Sequence, residues 1–140
     1  MTNRPMLEIV VRREPVTLPP DATVLEAART MREQRVGAVL VTDPDGALLG
    51  IFTGRDAVCR MLAEKRDPAR TTLSEAMTRK PETIGPQAKA IEALRLMQDC
   101  GVRHLPVVDR ARLIGVVSRG DFRGSEQARL DDETELWERL

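Results

Sequence analysis

Internal repetition constrains this sequence more than any other feature, because a repeated segment is expected to fold the same way twice. Thr17-Leu18-Pro19-Pro20 aligns with Thr83-Ile84-Gly85-Pro86 at an offset of 66. The same offset pairs Pro15 with Pro81, Leu25-Glu26-Ala27 with Ile91-Glu92-Ala93, Met31 with Met97 and Val36 with Val102. One residue is then lost. At an offset of 65, Leu49-Gly50-Ile51-Phe52-Thr53 aligns with Ile114-Gly115-Val116-Val117-Ser118, and Asp56 with Asp121. The two copies run from about Val11 to Asp56 and from about Met77 to Asp121.

Each copy predicts the same order of elements. A short extended piece around Thr17 or Thr83 ends at a proline, and a helix follows. In the first copy Thr23 and Glu26 have capping-box spacing, and Val24, Ala27, Ala28 and Met31 share a predicted inner face. The second copy keeps that face with Ala90, Ala93, Leu94 and Met97, but it has Lys89 at the cap, which predicts a weaker first turn. Two strands come next. Ala38–Val41 and Leu48–Phe52 flank Asp43-Pro44-Asp45-Gly46, and Leu105–Val108 and Leu113–Val117 flank Asp109-Arg110. Such near-continuous apolar strands predict sheets covered on both faces. A second helix is expected from Thr53 to about Lys65, with Ala57, Val58, Met61 and Leu62 inward, and another from Ser118. The fold class is α/β (α+β): two β-α-β-β-α repeats packed sheet to sheet, since about 60 residues alone make a marginal core. The expected boundaries are 8–66 for the first repeat, 67–76 for a linker and lead-in helix, 77–124 for the second repeat and 125–140 for an acidic tail.

Composition narrows the function. The chain has 22 basic and 22 acidic residues, so it has no overall field for gripping nucleic acid. With no Tyr, one Trp and two Phe it has few platforms for stacking bases. No apolar run approaches the ~18 residues of a spanning helix, and residues 1–7 lack a signal-peptide core. The expected location is cytoplasmic, without membrane contact. Cys59 and Cys100 lie apart from each other and from the single His, so reduced, partly buried thiols are expected rather than a disulfide or a metal site. H-E-x-x-H, G-x-S-x-G, C-x-x-C and the phosphate-cradling G-x-x-x-x-G-K-[S/T] are all missing, which argues against an enzyme.

Gly-Ile-Phe-Thr-Gly-Arg-Asp (50–56), Gly-Val-Val-Ser-Arg-Gly-Asp (115–121) and Val-Arg-His-Leu-Pro-Val-Val-Asp (102–109) closely resemble the motifs of cystathionine-β-synthase (CBS) domains. The resemblance covers about Val11 to Gly124. It implies a pseudo-twofold pair of repeats, often dimerised, with up to two clefts between them for AMP, ADP, ATP, S-adenosylmethionine or NAD. It further implies phosphate contacts from Thr53 and Ser118 and ribose-hydroxyl acceptors in Asp56 and Asp121. Thr17-Leu18, Thr83-Ile84, Ala38-Val39 and Leu105-Pro106 would border the adenine.

The residues themselves suit such a ligand. Thr53 and Ser118 stand where a strand is expected to turn into a helix, whose free N–H groups and partial positive charge favour phosphate. Arg55, Arg103, Arg119 and His104 can add charge beside it. Gly37-Ala38 stands where the second copy has Arg103-His104, so the second site is the better phosphate binder. The competing reading of Thr53…Asp56 and Ser118…Asp121 is an ordinary capping box, and that of His104 a satisfied surface or hinge residue.

The expected function is regulatory. An adenosine-type nucleotide, acting as a regulatory ligand rather than a catalytic cofactor, alters the repeat geometry of a homodimer, and an unidentified partner protein reads the change. The alternative is a ligand-free dimeric scaffold. From Glu126 onward six acids accompany Arg129 and Arg139, while Leu130, Leu136, Trp137 and Leu140 make one side of an irregular helix that packs on its own module or on a partner.

Overall fold

The computed structural model describes residues 3–10, 14–124, 126–128 and 130. These form α1 (Met6–Val10), β1 (Thr17–Leu18), α2 (Val24–Gln34), β2 (Ala38–Thr42), β3 (Leu48–Thr53) and α3 (Gly54–Asp56), which runs on into a π-helical turn, Ala57–Leu62. Then come α4 (Leu73–Ala76), β4 (Thr78–Arg79), α5 (Ala90–Cys100), β5 (His104–Asp109), β6 (Arg112–Ser118) and a 3-10 turn, Arg119–Asp121. This mixed α/β architecture follows the order read from the repeat. The residues gather into two compact units. One holds Pro15–Pro81 with Ala111–Leu113; the other holds the described residues up to Glu14, residues 82–110 and those from Ile114 on.

In the first-copy unit four strands form one sheet in the order β1-β2-β3-β4. β1 runs parallel to β2, and β2–β3 and β3–β4 are antiparallel. Val39, Val41, Phe52, Val24, Ala27, Met61, Leu73, Ala76 and Met77 make its core. Thr23 caps α2 by accepting the Glu26 N–H at 3.1 Å. Of the four residues expected on the inner face of α2, Val24 and Ala27 are buried and Met31 packs against the core, but Ala28 is exposed. The helix buries a narrower stripe than the pattern predicted, centred on Val24 and Ala27.

The helix expected from Thr53 also differs. In the π turn the Ala63 N–H reaches the Val58 carbonyl, five residues back, at 2.9 Å. That wider winding spreads side chains over a broader arc than the 3.6 period assumes. Met61 is buried, whereas Val58 and Leu62 are 55% and 75% exposed. Cys59 and Cys100 are exposed too, rather than partly buried, the first on this turn and the second at the end of α5.

In the second-copy unit β5 and β6 pair, and Ile84 bridges in parallel to Val107. Ala90, Ile91, Ala93, Leu94 and Met97 of α5 pack with Leu105, Val107 and Val117, which bears out the predicted face. β2 is buried on both faces as expected, but β6 alternates, with Ile114 37% exposed. A 3-10 turn directly follows Ser118 where a helix was expected, and helical residues begin only at Gly124, so Ser118 does not itself start a helix.

The lead-in segments are exchanged between the copies. In the first-copy unit the Val24, Leu73 and Ser74 N–H groups donate to the Thr71, Ala22 and Pro20 carbonyls at 2.9, 2.8 and 3.0 Å. In the second, the Ala90, Met6 and Leu7 N–H groups donate to the Arg4, Ala88 and Pro86 carbonyls at 2.7, 2.8 and 3.1 Å. Residues 71–74, which precede the second copy, thus serve the first, and residues 4–7, which precede the first, serve the second. Two matched glycines admit these segments. A Cβ on Gly50 would lie 2.5 Å from Met77 Sδ, and one on Gly115 would lie 2.9 Å from Val10 Cβ. The weak cap expected at Lys89 is made good the same way: Asn3 Oδ1 accepts the Ile91 N–H at 2.9 Å, and the Glu92 carboxylate accepts the Lys89 N–H at 3.0 Å.

Candidate functional site

In the first-copy unit the candidate residues fall on β1, β2 and the junction of β3 with α3. Ala38 lies directly opposite Thr53, and Thr17 and Leu18 lie beside Leu40 and Val41. The Gly54 N–H donates to the Gly37 carbonyl at 3.2 Å, fixing the start of α3 on the β2 edge. Val39 is wholly buried in the core and Ala38 nearly so, which leaves mainly backbone to face a ligand there; Arg55 is exposed on α3.

Asp56 is 9% exposed and heavily engaged. Its Oδ2 accepts the Thr53 N–H at 2.9 Å and the Thr53 hydroxyl at 3.1 Å. Its Oδ1 accepts the Thr78 hydroxyl at 3.3 Å and lies 3.6 Å from Arg60 Nε. Sequence reasoning missed Thr78 and Arg60. The i,i+4 spacing of Asp56 and Arg60 was a legible signal, but nothing local pointed to Thr78, 22 residues on.

The second-copy unit repeats the arrangement with more charge. The Arg119 N–H donates to the Arg103 carbonyl at 3.0 Å, the counterpart of the Gly54–Gly37 bond, and so brings two arginines onto adjacent backbone. Asp121 Oδ2 accepts the Ser118 N–H at 2.7 Å and its hydroxyl at 3.2 Å. The Ile84 N–H donates to the Pro106 carbonyl at 3.0 Å, which sets Thr83-Ile84 alongside β5. Leu105 and Pro106 are buried, while Thr83 is exposed. His104 is half-buried. Burial holds its imidazole below the usual histidine value; Asp121 pulls it up and Arg103 pushes it further down. At neutral pH it therefore offers a hydrogen bond and not the charge expected from the sequence. Among the described residues no cluster of His, Cys, Asp and Glu is placed to hold a metal ion.

Two matched Ser/Thr-x-x-Asp turns, each tied to the preceding strand edge, are thus built into a doubled α/β framework. A family model for the CBS domain matches residues 8–62 and 73–126, both copies and most of the chain. The chain belongs to the CBS domain family. YlbB of Bacillus subtilis (strain 168) is 42% identical over 105 residues, 74% of this chain and 70% of that protein. The CBS domain-containing protein CBSCBSPB3 of Arabidopsis thaliana is 39% identical over 102 residues, 73% of this chain but only 18% of its own length.

Solved CBS structures agree in fold. The CBS-domain protein ATU1752 from Agrobacterium tumefaciens has a TM-score of 0.78 at 34% identity, covering 89% of this chain and 98% of that one. The CBS domain protein PAE2072 from Pyrobaculum aerophilum, complexed with AMP, has a TM-score of 0.81 at 26% identity, covering 91% and 98%. A hexameric CBS-CP12 protein from bloom-forming cyanobacteria has a TM-score of 0.75 at 26% identity, covering 84% and 68%. A CBS pair of this type is a regulatory, ligand-binding module. No helix among the described residues is long and apolar enough to cross a membrane.

Proposed function

We propose that this CBS pair is a non-catalytic cytoplasmic sensor of an adenosine-type nucleotide, and that the second-copy unit carries the stronger site. The observation that carries the reading is the joining of Arg103 to Arg119 through backbone, beside half-buried His104 and the Ser118–Asp121 turn. Two guanidinium groups suit phosphate, and a carboxylate held at a strand end suits two ribose hydroxyls. The AMP bound by PAE2072 supports the ligand class. Occupancy changes the module only through unequal affinity for two of its states, and a partner protein reads that change. Residues 8–66, 67–76, 77–124 and 125–140 remain our division into repeats, linker and tail. Residues 126–128 and 130 of the tail are helical, and its Trp137 lies outside the described residues. Calorimetry with AMP, ADP, ATP, GTP, NAD and S-adenosylmethionine is expected to show binding to one or more adenosine compounds and none to GTP. Silence across the series would refute the sensor.

A specific observation favours self-association through the other unit. Val58 and Leu62 stand four residues apart on the π turn, 55% and 75% exposed, and one twofold contact buries such a patch on both subunits. We infer a homodimer that uses this face. Light scattering at micromolar concentration is expected to give the dimer mass for the native chain and the monomer mass for Leu62→Glu. A native monomer would rule the dimer out, and an unchanged dimer in Leu62→Glu would move it to another face. A dimer with no nucleotide affinity would favour the scaffold.

A further inference from the structure

We propose that Arg4 is a positioning residue for the Ser118–Asp121 turn and thereby sets nucleotide affinity, an inference that rests on the sensor reading above. Its guanidinium reaches two partners. Nη2 and Nε donate to the Glu126 carboxylate at 2.8 and 3.2 Å, and Nη2 also donates to the Asp121 backbone carbonyl at 3.2 Å. Glu126 is itself fixed by the Arg4 and Arg123 N–H groups at 3.1 and 2.8 Å and is 1% exposed. The brace therefore ends on a rigid, buried carboxylate and begins on the residue assigned to ribose. The Ser118 N–H and hydroxyl hold the Asp121 carboxylate from the front of the 3-10 turn, and Arg4 holds the Asp121 backbone carbonyl, so the two together fix where the carboxylate points.

The other unit contains the same device built differently. There Arg60 Nη1 donates to the Met77 carbonyl at 2.7 Å, while Arg60 Nε faces Asp56 Oδ1 at 3.6 Å. In both units one arginine ties the aspartate of the Ser/Thr-x-x-Asp turn to an exchanged lead-in segment. In the first it grips the carboxylate, and in the second it grips the backbone.

Arg4→Lys keeps the charge beside Glu126 but loses the planar fork that serves both acceptors. Asn3→Ala is the control, because the bond it removes is the cap at the Ile91 N–H. Calorimetry with AMP and with ATP, together with ligand-free melting, is run on the whole chain for the native protein and both variants. Arg4→Lys is expected to bind about tenfold more weakly, as for the loss of one charge-assisted hydrogen bond. Asn3→Ala is expected to melt earlier yet bind within about twofold of native. Glu126→Gln, which keeps its shape, repeats the test from the other end of the brace should Arg4→Lys not fold, with a smaller loss of affinity expected. Native-like affinity in Arg4→Lys, or losses that simply track melting temperature in all variants, overturns the positioning role and leaves the sensor standing. A native chain that binds neither nucleotide overturns both.

Discussion

Glu126→Ala is expected to destabilise the second-copy unit by about 3 kcal/mol, the lower end of the range for breaking a buried ion pair. The carboxylate accepts four N–H bonds, three from Arg4 and one from the Arg123 backbone, and it is wholly enclosed. Its removal strands a guanidinium that is 12% exposed, too little to recover full hydration but enough to keep the loss from the upper end. Arg4→Met with Glu126→Leu removes both charges and is expected to recover most of the stability, since a well-packed apolar pair replaces such an ion pair at little cost. Guanidinium denaturation of the native chain, the single variant and the double variant reads the difference. A single-variant loss under about 1 kcal/mol, or a double variant as weak as the single, would refute the account.

The same pair fixes an acid response. Burial pushes the Glu126 carboxyl up, but the Arg4 side chain, the Arg123 and Arg4 N–H groups and the Arg4 charge together hold it below its ordinary value of 4.5. The unfolded chain therefore takes up this proton first as pH falls. The stability the group supplies is complete above 4.5 and disappears as pH drops through the lower folded value. Glu126→Gln should flatten stability against pH in that acid window and leave the slope above it unchanged.

Asp121→Ala and Asp56→Ala are expected to fail in opposite ways. A nucleotide at 100 times its dissociation constant stabilises the native state by about 2.7 kcal/mol. If Asp121 accepts from ribose, its loss removes about 1–3 kcal/mol of binding, most of that stabilisation. Without ligand Asp121→Ala loses the Ser118 box, worth about 1 kcal/mol. Asp56→Ala leaves the Thr53 and Thr78 donors without this acceptor and Arg60 without its counter-charge, and should cost about 2–3 kcal/mol without ligand, while the nucleotide-induced rise in melting temperature changes much less. Thermal melts of the native chain and both variants, with and without nucleotide, decide the matter. Equal ligand-induced rises in all three would leave both aspartates as caps only.

The contrast between these aspartates marks what the sequence disclosed. Element order, the α5 face and the two Ser/Thr-x-x-Asp turns were legible because each rests on local spacing or on repetition. The positions of Ala28, Val58 and Leu62 were misread because periodicity assumes one winding and one stripe width, and the π turn changes the first. Lys89 looked like a missing cap because its replacement, Asn3, lies 88 residues from the Ile91 N–H that it caps. Thr78, Arg4 and Glu126 escaped for the same reason. Long-range partners leave no mark in a single sequence, although Thr78 and Arg4 each reach one of these two aspartates.

The exchange of lead-in segments also orders events on the ribosome. Almost everything the first-copy unit needs lies between Pro15 and Pro81, so it can close while later residues are still being made. Asn3 to Val10 emerge earlier still, yet they find their partners only when Pro86 to Ile91 follow, and Arg4 waits for Glu126, 122 residues on. Closing so long a loop adds little to the entropic cost at equilibrium, because that cost grows only logarithmically with length. In time it matters more. Met6 and Val10, buried in the finished unit, stay uncovered until the core residues from Ala90 onward have followed. A segment made before its partners thus waits to find its place, and a nascent chain stalled before Pro86 would display it to chaperones and proteases.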